Sequence, residues 1–296
     1  MKANDFKFGI LTDQIDQDFE RALQIATAEG FDYISLHRMW GKMITDLTPE
    51  EFGNVQALLQ QYPLPVNMIC SLLFRPFLLE DVELESMEQH PRFIEHMALL
   101  DRSIDIAHTL NAPYIRTFAF SRDMPVINPS PRSPDGGGIP DLTLAKITKG
   151  LQIACDRAAA SGLTLALEDC RAFYANTGGN IRRILDAVDR PNLKVIWDPA
   201  NAFVAGETPL PGGYAAVRGE VVDVHCKDSA VVDEHTGLTE SVPIGEGGAM
   251  WSDQLAALAQ DGIRTLTMEC KLPNFPLLKS LVQEYVEQRM ALPVKG

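Results

Sequence analysis

Four residues that could bind a metal ion or move a proton each stand at the end of a short apolar run. They are Glu168 in LTLALEDC, Asp198 in VIWDPANAF, His225 in VVDVHCKD and Glu269 in RTLTMEC. Each run has the length and composition of a buried strand. Their spacings along the chain correspond to one, one and one enlarged strand-helix unit. This periodic placement, rather than any short motif, indicates a shared site.

Three carboxylates in a partly buried site repel one another, and at least one would take up a proton unless a cation compensated their charge. A divalent metal ion is the most economical such cation. Three carboxylates and one imidazole suit Mn²⁺, Mg²⁺ or Co²⁺, and the imidazole also allows Zn²⁺. We therefore expect one divalent ion on these four residues. The alternative for any one of them is an ordinary strand-end side chain that caps a neighbouring helix.

Short strand patterns alternate with longer amphipathic stretches along the whole chain, which is typical of repeated βα units around a parallel sheet. The predicted strands are residues 6–11, 32–37, 65–71, 113–118, 163–168, 193–198, 221–225 and 264–269. Eight units favour an α/β fold, a closed (β/α)8 barrel, with residues 1–296 as a single domain. The ends of its fifth to eighth strands would be neighbours at one mouth, and the four candidate ligands would converge there.

Local signals support this division into units. Thr48, Pro49 and Glu51 form a predicted capping box at the start of one helix, and Gly30 is placed to end the helix before it. Long loops are expected at residues 72–91, 119–140 and 226–250, each after a strand, whereas the connections from helix to strand are short. Long loops on one face only indicate a functional face.

Composition narrows the class of partner. The 296 residues carry 26 Lys and Arg against 40 Asp and Glu, and the net charge of −14 opposes nucleic-acid binding. No apolar stretch approaches the roughly 20 residues that span a bilayer. Five cysteines without a C-x-x-C pair signal neither a disulfide framework nor a structural zinc site. We expect a cytoplasmic protein that binds a small molecule. A homo-oligomer is compatible with the sequence, although the sequence identifies no interface.

The four residues also carry a resemblance to a known family. The chain resembles the xylose-isomerase-like TIM barrels, the sugar phosphate isomerase/epimerase superfamily, over nearly its whole length. In that family a strand-five Glu, a strand-six Asp, a strand-seven His in an H-x-K-D run and a strand-eight Glu hold one divalent metal. Glu168, Asp198 in WDPAN, His225 in HCKD and Glu269 fit these places, and PIGEGGAMW is similar to the family's G-E-G loop.

The resemblance implies an isomerase or epimerase that acts on a sugar, sugar phosphate or related hydroxy-ketone. The metal would polarise a carbonyl so that a base removes the adjacent proton, giving an enediolate. Glu168 and Glu269 correspond to the two glutamates that exchange protons with the substrate in the epimerase branch. Asn201 stands where the epimerases usually place a His, and is a candidate substrate-binding residue.

Lys227 and Glu246 are further candidates. Lys227 lies two residues past His225, so strand alternation directs both side chains into the mouth, where an ammonium could stabilise an enolate. Its alternative is a salt bridge to Glu246 or to another acid of the mouth. Glu246, between two glycines, could orient a metal ligand or a substrate hydroxyl, or could simply belong to a solvated turn.

Three residues on the early strands complete the candidate substrate site. Arg116, on the fourth predicted strand, could bind an anionic group, or could line the core and pair with an acid. His37 and Trp40 follow the second strand and could form an aromatic, hydrogen-bonding wall. A buried His satisfied by the backbone is the alternative for His37.

Other functions remain open at this stage. A dehydratase of a cyclic keto-polyol or of a dehydroshikimate-like acid would use the same metal and enolate but expel the β-hydroxyl. A hydrolase of abasic DNA would need further His and acid ligands, and the charge of the chain opposes it. A non-catalytic binding protein on the same barrel is the contrasting class.

Overall fold

The computed structural model describes residues 5–122, 130–133 and 136–291 and contains a closed barrel of eight parallel strands, as predicted. The strands are β1 (Lys7–Leu11), β2 (Tyr33–Leu36), β3 (Val66–Leu73), β4 (Tyr114–Thr117), β5 (Thr164–Glu168), β6 (Leu193–Trp197), β7 (Val221–Cys226) and β8 (Thr265–Met268). Each pairs with its neighbours in chain order, and β1 closes the barrel against β8. All predicted strand ends lie within two residues of the observed ends.

Helices surround the barrel and cover its apolar outer face. They are α1 (Phe19–Glu29), α2 (Pro49–Gln61), α3 (Pro91–Leu110), α4 (Asp141–Ala159), α5 (Gly178–Val188), α6 (Pro199–Val204), α7 (Tyr214–Val217), α8 (Trp251–Gln260) and α9 (Phe275–Ala291). The main apolar cluster lies between strands and helices. Within the described part of the chain, none of the helices combines the length and the hydropathy that a transmembrane span requires.

The two helix-end signals are confirmed. The Thr48 side chain accepts a hydrogen bond from Glu51 N while the Glu51 carboxylate accepts one from Thr48 N, and Pro49 opens α2. Gly30 ends α1 at φ +79°, in the left-handed region that a residue with a side chain rarely adopts. Local sequence chemistry therefore decides where these helices begin and end.

Strand alternation decides which side chains enter the barrel. On β7, Val224 packs outward in the main apolar cluster, whereas Asp223 and His225 point inward. Inside the barrel Tyr33 crosses over Gly9, where a Cβ would lie 2.0 Å from its ring, and its hydroxyl lies 2.9 Å from Thr267 Oγ1. The same rule places the residue that follows each of β6 and β8 at the mouth.

The long loops after β4 and β7 differ from expectation in one respect. Residues 226–250, predicted as a loop, contain an antiparallel hairpin of Asp228–Asp233 and Leu238–Val242, and the latter strand also pairs with Ser130–Pro131. The available signal for the hairpin was a polar, glycine-containing turn at residues 234–237 between two short runs with β-branched residues. Of the predicted loop 119–140, residues 123–129 and 134–135 lie outside the described part of the chain.

Candidate metal centre

The four predicted ligands come together at the mouth of the barrel. One ligand atom from each of Glu168, Asp198, His225 and Glu269 can be chosen so that all lie within 4.8 Å of one another. The first three side chains are buried, and Glu269 keeps 17% of its side chain exposed. Because their strands are consecutive in the barrel, alternation alone brings the four side chains to one side of the mouth.

Glu168 is held between two cationic or potentially cationic groups. Its Oε2 accepts a hydrogen bond from Arg116 Nη1 at 3.0 Å, and its Oε1 lies 3.1 Å from His225 Nδ1. Burial and the charge of Glu269 raise the pKa of Glu168, but Arg116 and His225 outweigh them and hold it below its usual value. This carboxylate is therefore ionised and fixed in orientation.

Asp198 serves two purposes with its two oxygens. Its Oδ1 accepts hydrogen bonds from Ala200 N and Asn201 N and so caps α6. Helix capping was the alternative to metal binding for an acid at a strand end, and Asp198 does cap a helix. Its Oδ2 lies 2.8 Å from Lys227 Nζ and faces the cluster. Burial raises the pKa of Asp198 to about 6, although Lys227 opposes the shift. The cap thus orients the second oxygen toward the other ligands.

Lys227 points into the mouth, as strand alternation predicts. Its Nζ lies 2.6 Å from Glu269 Oε2 as well as 2.8 Å from Asp198 Oδ2. Burial lowers the pKa of Lys227, but the two carboxylates raise it well above its ordinary value. The ion pair considered for Lys227 is therefore present, with acids of the cluster rather than with Glu246.

These contacts correct one step of the sequence argument. Arg116 and Lys227 compensate two of the three carboxylates, so the protein itself lowers the repulsion that seemed to demand a metal ion. Burial lowers the pKa of His225, but Glu269 and Glu168 raise it well above its ordinary value. A protonated His225 compensates the third carboxylate, whereas the neutral imidazole that binds a metal ion leaves the set with one net negative charge. Arg116 is 2% exposed and also donates to the carbonyls of Cys70 and Ser71. Its contacts match the ion-pair interpretation, and a contact of Arg116 with substrate stays a prediction.

The residues nevertheless fit a divalent cation. Three carboxylates and one imidazole are a donor set for Mg²⁺, Mn²⁺ or Zn²⁺. His225 Nε2 is buried and has no hydrogen-bond partner among the residues that the structure describes, whereas the buried Asp198 Oδ2 is in ion-pair contact with Lys227. A ligand atom without a protein partner at a buried carboxylate cluster is what a metal ion would satisfy. We therefore retain all four as ligands that could hold one ion.

The remaining predicted residues occupy four different settings. His37 Nδ1 lies 3.0 Å from Asp13 Oδ2, at the ends of β2 and β1. Trp40 packs edge-on against Phe19, with ring centroids 6.1 Å apart. Asn201 Nδ2 donates a hydrogen bond to the Asp169 carbonyl. The Glu246 side chain is exposed. Their proposed contacts with substrate stay predictions.

Sequence reasoning missed a second group of residues at the same mouth. A cavity of about 930 Å³ opens at the ends of the early strands and includes His37 in its wall. Its basic lining residues, none of which was predicted as functional, are Arg38, Arg75, Arg122 and Lys271. All four follow a barrel strand by a few residues in an acidic chain, and that pattern was the available signal.

Both the fold and the site define a class of protein, a (β/α)8 barrel with a carboxylate and histidine cluster at the carboxyl ends of its last four strands. Residues 23–289 match the family of xylose isomerase-like TIM barrels, and the chain belongs to that family. No curated protein sequence matches the chain significantly.

Solved structures with similar folds include enzymes of two classes. A xylose isomerase-like TIM barrel protein from Mycobacterium smegmatis in complex with magnesium is 16% identical, with a TM-score of 0.69 over 97% of this chain and 99% of that one. D-allulose 3-epimerase from a Methylomonas species in complex with D-allulose is 19% identical, with a TM-score of 0.62 over 96% of each chain. The probable 3-DHS dehydratase of petrobactin synthesis from Bacillus anthracis is 17% identical, with a TM-score of 0.65 over 96% and 98%. At these identities the likeness shows the fold.

Proposed function

We propose that the protein is a divalent-metal-dependent isomerase or epimerase that acts on a sugar, sugar phosphate or related hydroxy-ketone through an enediolate. The observation that carries the proposal is the convergence of Glu168, Asp198, His225 and Glu269 within 4.8 Å. Family membership and the epimerase among the similar structures support it. A bound dication would supply Lewis-acid polarisation of the substrate carbonyl.

The two glutamates differ in access, and this suggests how they share the work. Glu269 keeps 17% of its side chain exposed, whereas Glu168 keeps 4% and is locked by Arg116 and His225. Glu269 is therefore the first candidate for the base that removes the proton next to the carbonyl. The neighbouring charges hold the pKa of Glu269 well below its usual value in spite of burial, so it is ionised at neutral pH, as a general base must be, although the same charges weaken it as a base.

Lys227 would assist the proposed reaction through the positive charge of its ammonium group. Its ammonium lies against Glu269 and Asp198, and a quarter of its side chain is exposed to the mouth. A cation there would stabilise the negative oxygen of an enediolate as it forms. With a dication bound and His225 neutral as its ligand, the net charge of the set would be +1, which suits a substrate that becomes negative during reaction.

Solvent isotope exchange tests the proposal. We would incubate the protein in D₂O with a panel of ketoses, their phosphates and hydroxy-keto acids, with and without chelator, and follow labelling by NMR. We expect deuterium at the carbon next to the carbonyl, loss of labelling with chelator, and recovery when Mn²⁺, Mg²⁺, Co²⁺ or Zn²⁺ is added back. Elemental analysis of protein purified without chelator supplies an independent measurement. Absence of metal-dependent labelling across the panel would refute the proposal.

A dehydratase is the second candidate, because the cations that line the mouth would suit a substrate that carries a carboxylate. It would use the same base and the same enolate but expel a β-hydroxyl group. The fold of the Bacillus anthracis dehydratase is compatible with this reading. In the same assay, loss of water from a cyclic keto-polyol or keto-acid, seen as an enone absorbance, would favour the lyase over the isomerase.

A further inference from the structure

The cavity beside the metal cluster has a sign of charge opposite to that of the chain. The protein carries −14 overall, yet this cavity of about 930 Å³ is lined by four cationic side chains and one carboxylate. The cations are Arg38, Arg75, Arg122 and Lys271, and the carboxylate is Asp13, which His37 contacts. A concave site lined by one sign of charge concentrates small ions of the other sign.

Arg75 is the cation best placed to bind such an ion. Its guanidinium lies 5.3 Å from the centroid of the Phe118 ring and 5.4 Å from that of Phe173. Arg75 is partly exposed to the cavity and forms no ion pair with any residue that the structure describes. Contact with aromatic rings uses none of the guanidinium N–H groups as donors to a charged acceptor, and the fork of donors along the edge of a guanidinium matches a carboxylate or phosphate in geometry.

The backbone before Arg75 is held in an unfavourable conformation. Phe74 has φ +63°, in the left-handed region that costs a bulky residue about 1–3 kcal/mol. The Phe74 ring is fully buried and stacks on Phe120, with centroids 4.2 Å apart, and its N–H donates to His96 Nδ1 at 3.0 Å. These contacts stabilise the turn and fix the direction in which the next residue, Arg75, projects. Strained residues of this kind cluster at active sites and ligand clamps.

The Arg75 site and the metal cluster adjoin. Arg116 lies 5.1 Å from the Phe118 centroid, on the same ring that Arg75 contacts, and its Nη1 is 3.0 Å from Glu168. Lys271 lines the cavity two residues beyond Glu269. The four cluster residues do not themselves line the cavity. A ligand bound to Arg75 would reach them by extending beyond the cavity, and a volume of this size accommodates a small sugar derivative.

We propose that the substrate carries an anionic group, a carboxylate or a phosphate, that binds to the N–H edge of Arg75 with Lys271 beside it. The opposite end of the substrate, with its hydroxy-ketone, lies at the cluster of Glu168, Asp198, His225 and Glu269. This inference rests on the proposed function for the location of the reacting end. The anion site itself stands on the cavity, on the unpaired guanidinium and on its rigid support.

Binding of unreactive polyols tests the anion site without catalysis. D-Sorbitol, D-gluconate and sorbitol 6-phosphate are similar in length, lack a ketone, and differ in whether they carry no anion, a carboxylate or a phosphate. We would measure their affinities by calorimetry at constant ionic strength, with wild-type protein, Arg75→Met, Arg75→Lys and Arg157→Met. Arg157 is an exposed arginine on α4 that pairs with Asp101, and it serves as the matched control.

We expect at least one anionic probe to bind wild-type protein roughly ten-fold or more tighter than sorbitol, since a charge-assisted hydrogen bond contributes about that factor. Arg75→Met should remove this preference, Arg75→Lys should retain part of it, and Arg157→Met should leave it unchanged. The anionic probe with the larger advantage identifies the group. Thermal unfolding of each variant, with Arg75→Lys as the milder change, separates loss of binding from loss of fold.

Two results would overturn the inference. One is equal affinity of wild-type protein for all three probes. The other is an anion preference that survives in Arg75→Met but disappears with chelator, which would assign the anion to the metal. Anion binding that depends on Arg75 together with an absence of metal-dependent exchange would uphold this site and refute the proposed function. Exchange without any anion preference would do the reverse.

Discussion

The two halves of the barrel mouth differ in charge and in how their side chains are positioned. At the ends of β5 to β8, acidic side chains are buried, paired with Arg116 and Lys227, and placed directly by strand alternation. Around the ends of β1 to β4, and just past β8, cationic side chains face a cavity, and Arg75 is placed by a strained turn between buried rings. The two proposals above assign a different task to each half, proton transfer to the acidic half and substrate recognition to the basic half.

The largest effect is expected from Glu269→Gln on the acidic half. The change keeps the volume of the side chain but removes the proposed base and metal ligand, so the rate of deuterium exchange should fall by about 100-fold or more. The rate would be measured by NMR at saturating Mn²⁺, with the metal content determined in parallel.

The matched control for that change is Glu50→Gln. Glu50 lies in the first turn of α2, and its side chain is exposed. It should leave the exchange rate within about two-fold of wild type, since surface substitutions rarely matter. An unaltered rate of deuterium exchange in Glu269→Gln would contradict a role of the acidic half in proton transfer.

The second effect concerns stability. Arg116→Met would leave the buried Glu168 carboxylate without its closest cation, and breaking a buried pair in this way costs about 3 kcal/mol or more. We expect that loss in urea unfolding with chelator present, and a smaller loss when Mn²⁺ is added, because the ion replaces the missing positive charge.

The comparison for Arg116 is Arg157→Met, which breaks an exposed ion pair and should cost about 1 kcal/mol or less. Equal losses in the two variants would mean that Arg116 does not stabilise the acidic half. If Mn²⁺ did not reduce the loss of stability in Arg116→Met, the guanidinium and a bound metal ion would not compensate the same charge.

A third effect tests the support of the basic half through pH. Burial, with Arg92 nearby, lowers the pKa of His96 to about 4, whereas an unfolded His titrates near 6.5. Between these values the unfolded chain binds a proton that the folded chain does not, so stability falls as the pH falls from 6.5 toward 4. The full shift corresponds to a loss on the order of 3 kcal/mol.

His96→Asn would keep an acceptor near Phe74 N but would not titrate. We therefore expect the free energy of unfolding to fall less between pH 7 and pH 4.5 in this variant than in wild type, as measured from urea curves. Parallel losses in the two proteins would show that His96 does not couple the turn before Arg75 to pH.

The smallest expected effect is on stability and concerns a helix cap that lies outside both halves of the mouth. Thr48→Ala removes the cap of α2 and should cost about 1 kcal/mol. Thr27→Ala, at an exposed position inside α1, should be close to neutral or slightly stabilising because Ala is the better helix former. A cost for Thr48→Ala as large as that for Arg116→Met would erase the contrast in stability between the mouth and the periphery.

The same contrast explains what could be predicted from sequence. The strands, the capping box and the four cluster residues follow rules that act over a few neighbours, so periodicity and helix-end chemistry predict them. The direction of Arg75 depends on the positive φ of Phe74 and on stacking against Phe120, which is 46 positions away in the chain. The pairing of Arg116 with Glu168 also needed coordinates, because sequence left two interpretations of that arginine open.

Asp228 has a consequence for how this barrel could change during evolution. Its buried carboxylate accepts hydrogen bonds from the amides of Ser229, Gly245, Gly247 and Ala249 and so joins the two ends of the hairpin segment directly beside Lys227. Insertions or deletions within the hairpin would leave this junction intact. New surface could therefore be added in the hairpin while Glu168, Asp198, His225 and Glu269 keep their geometry.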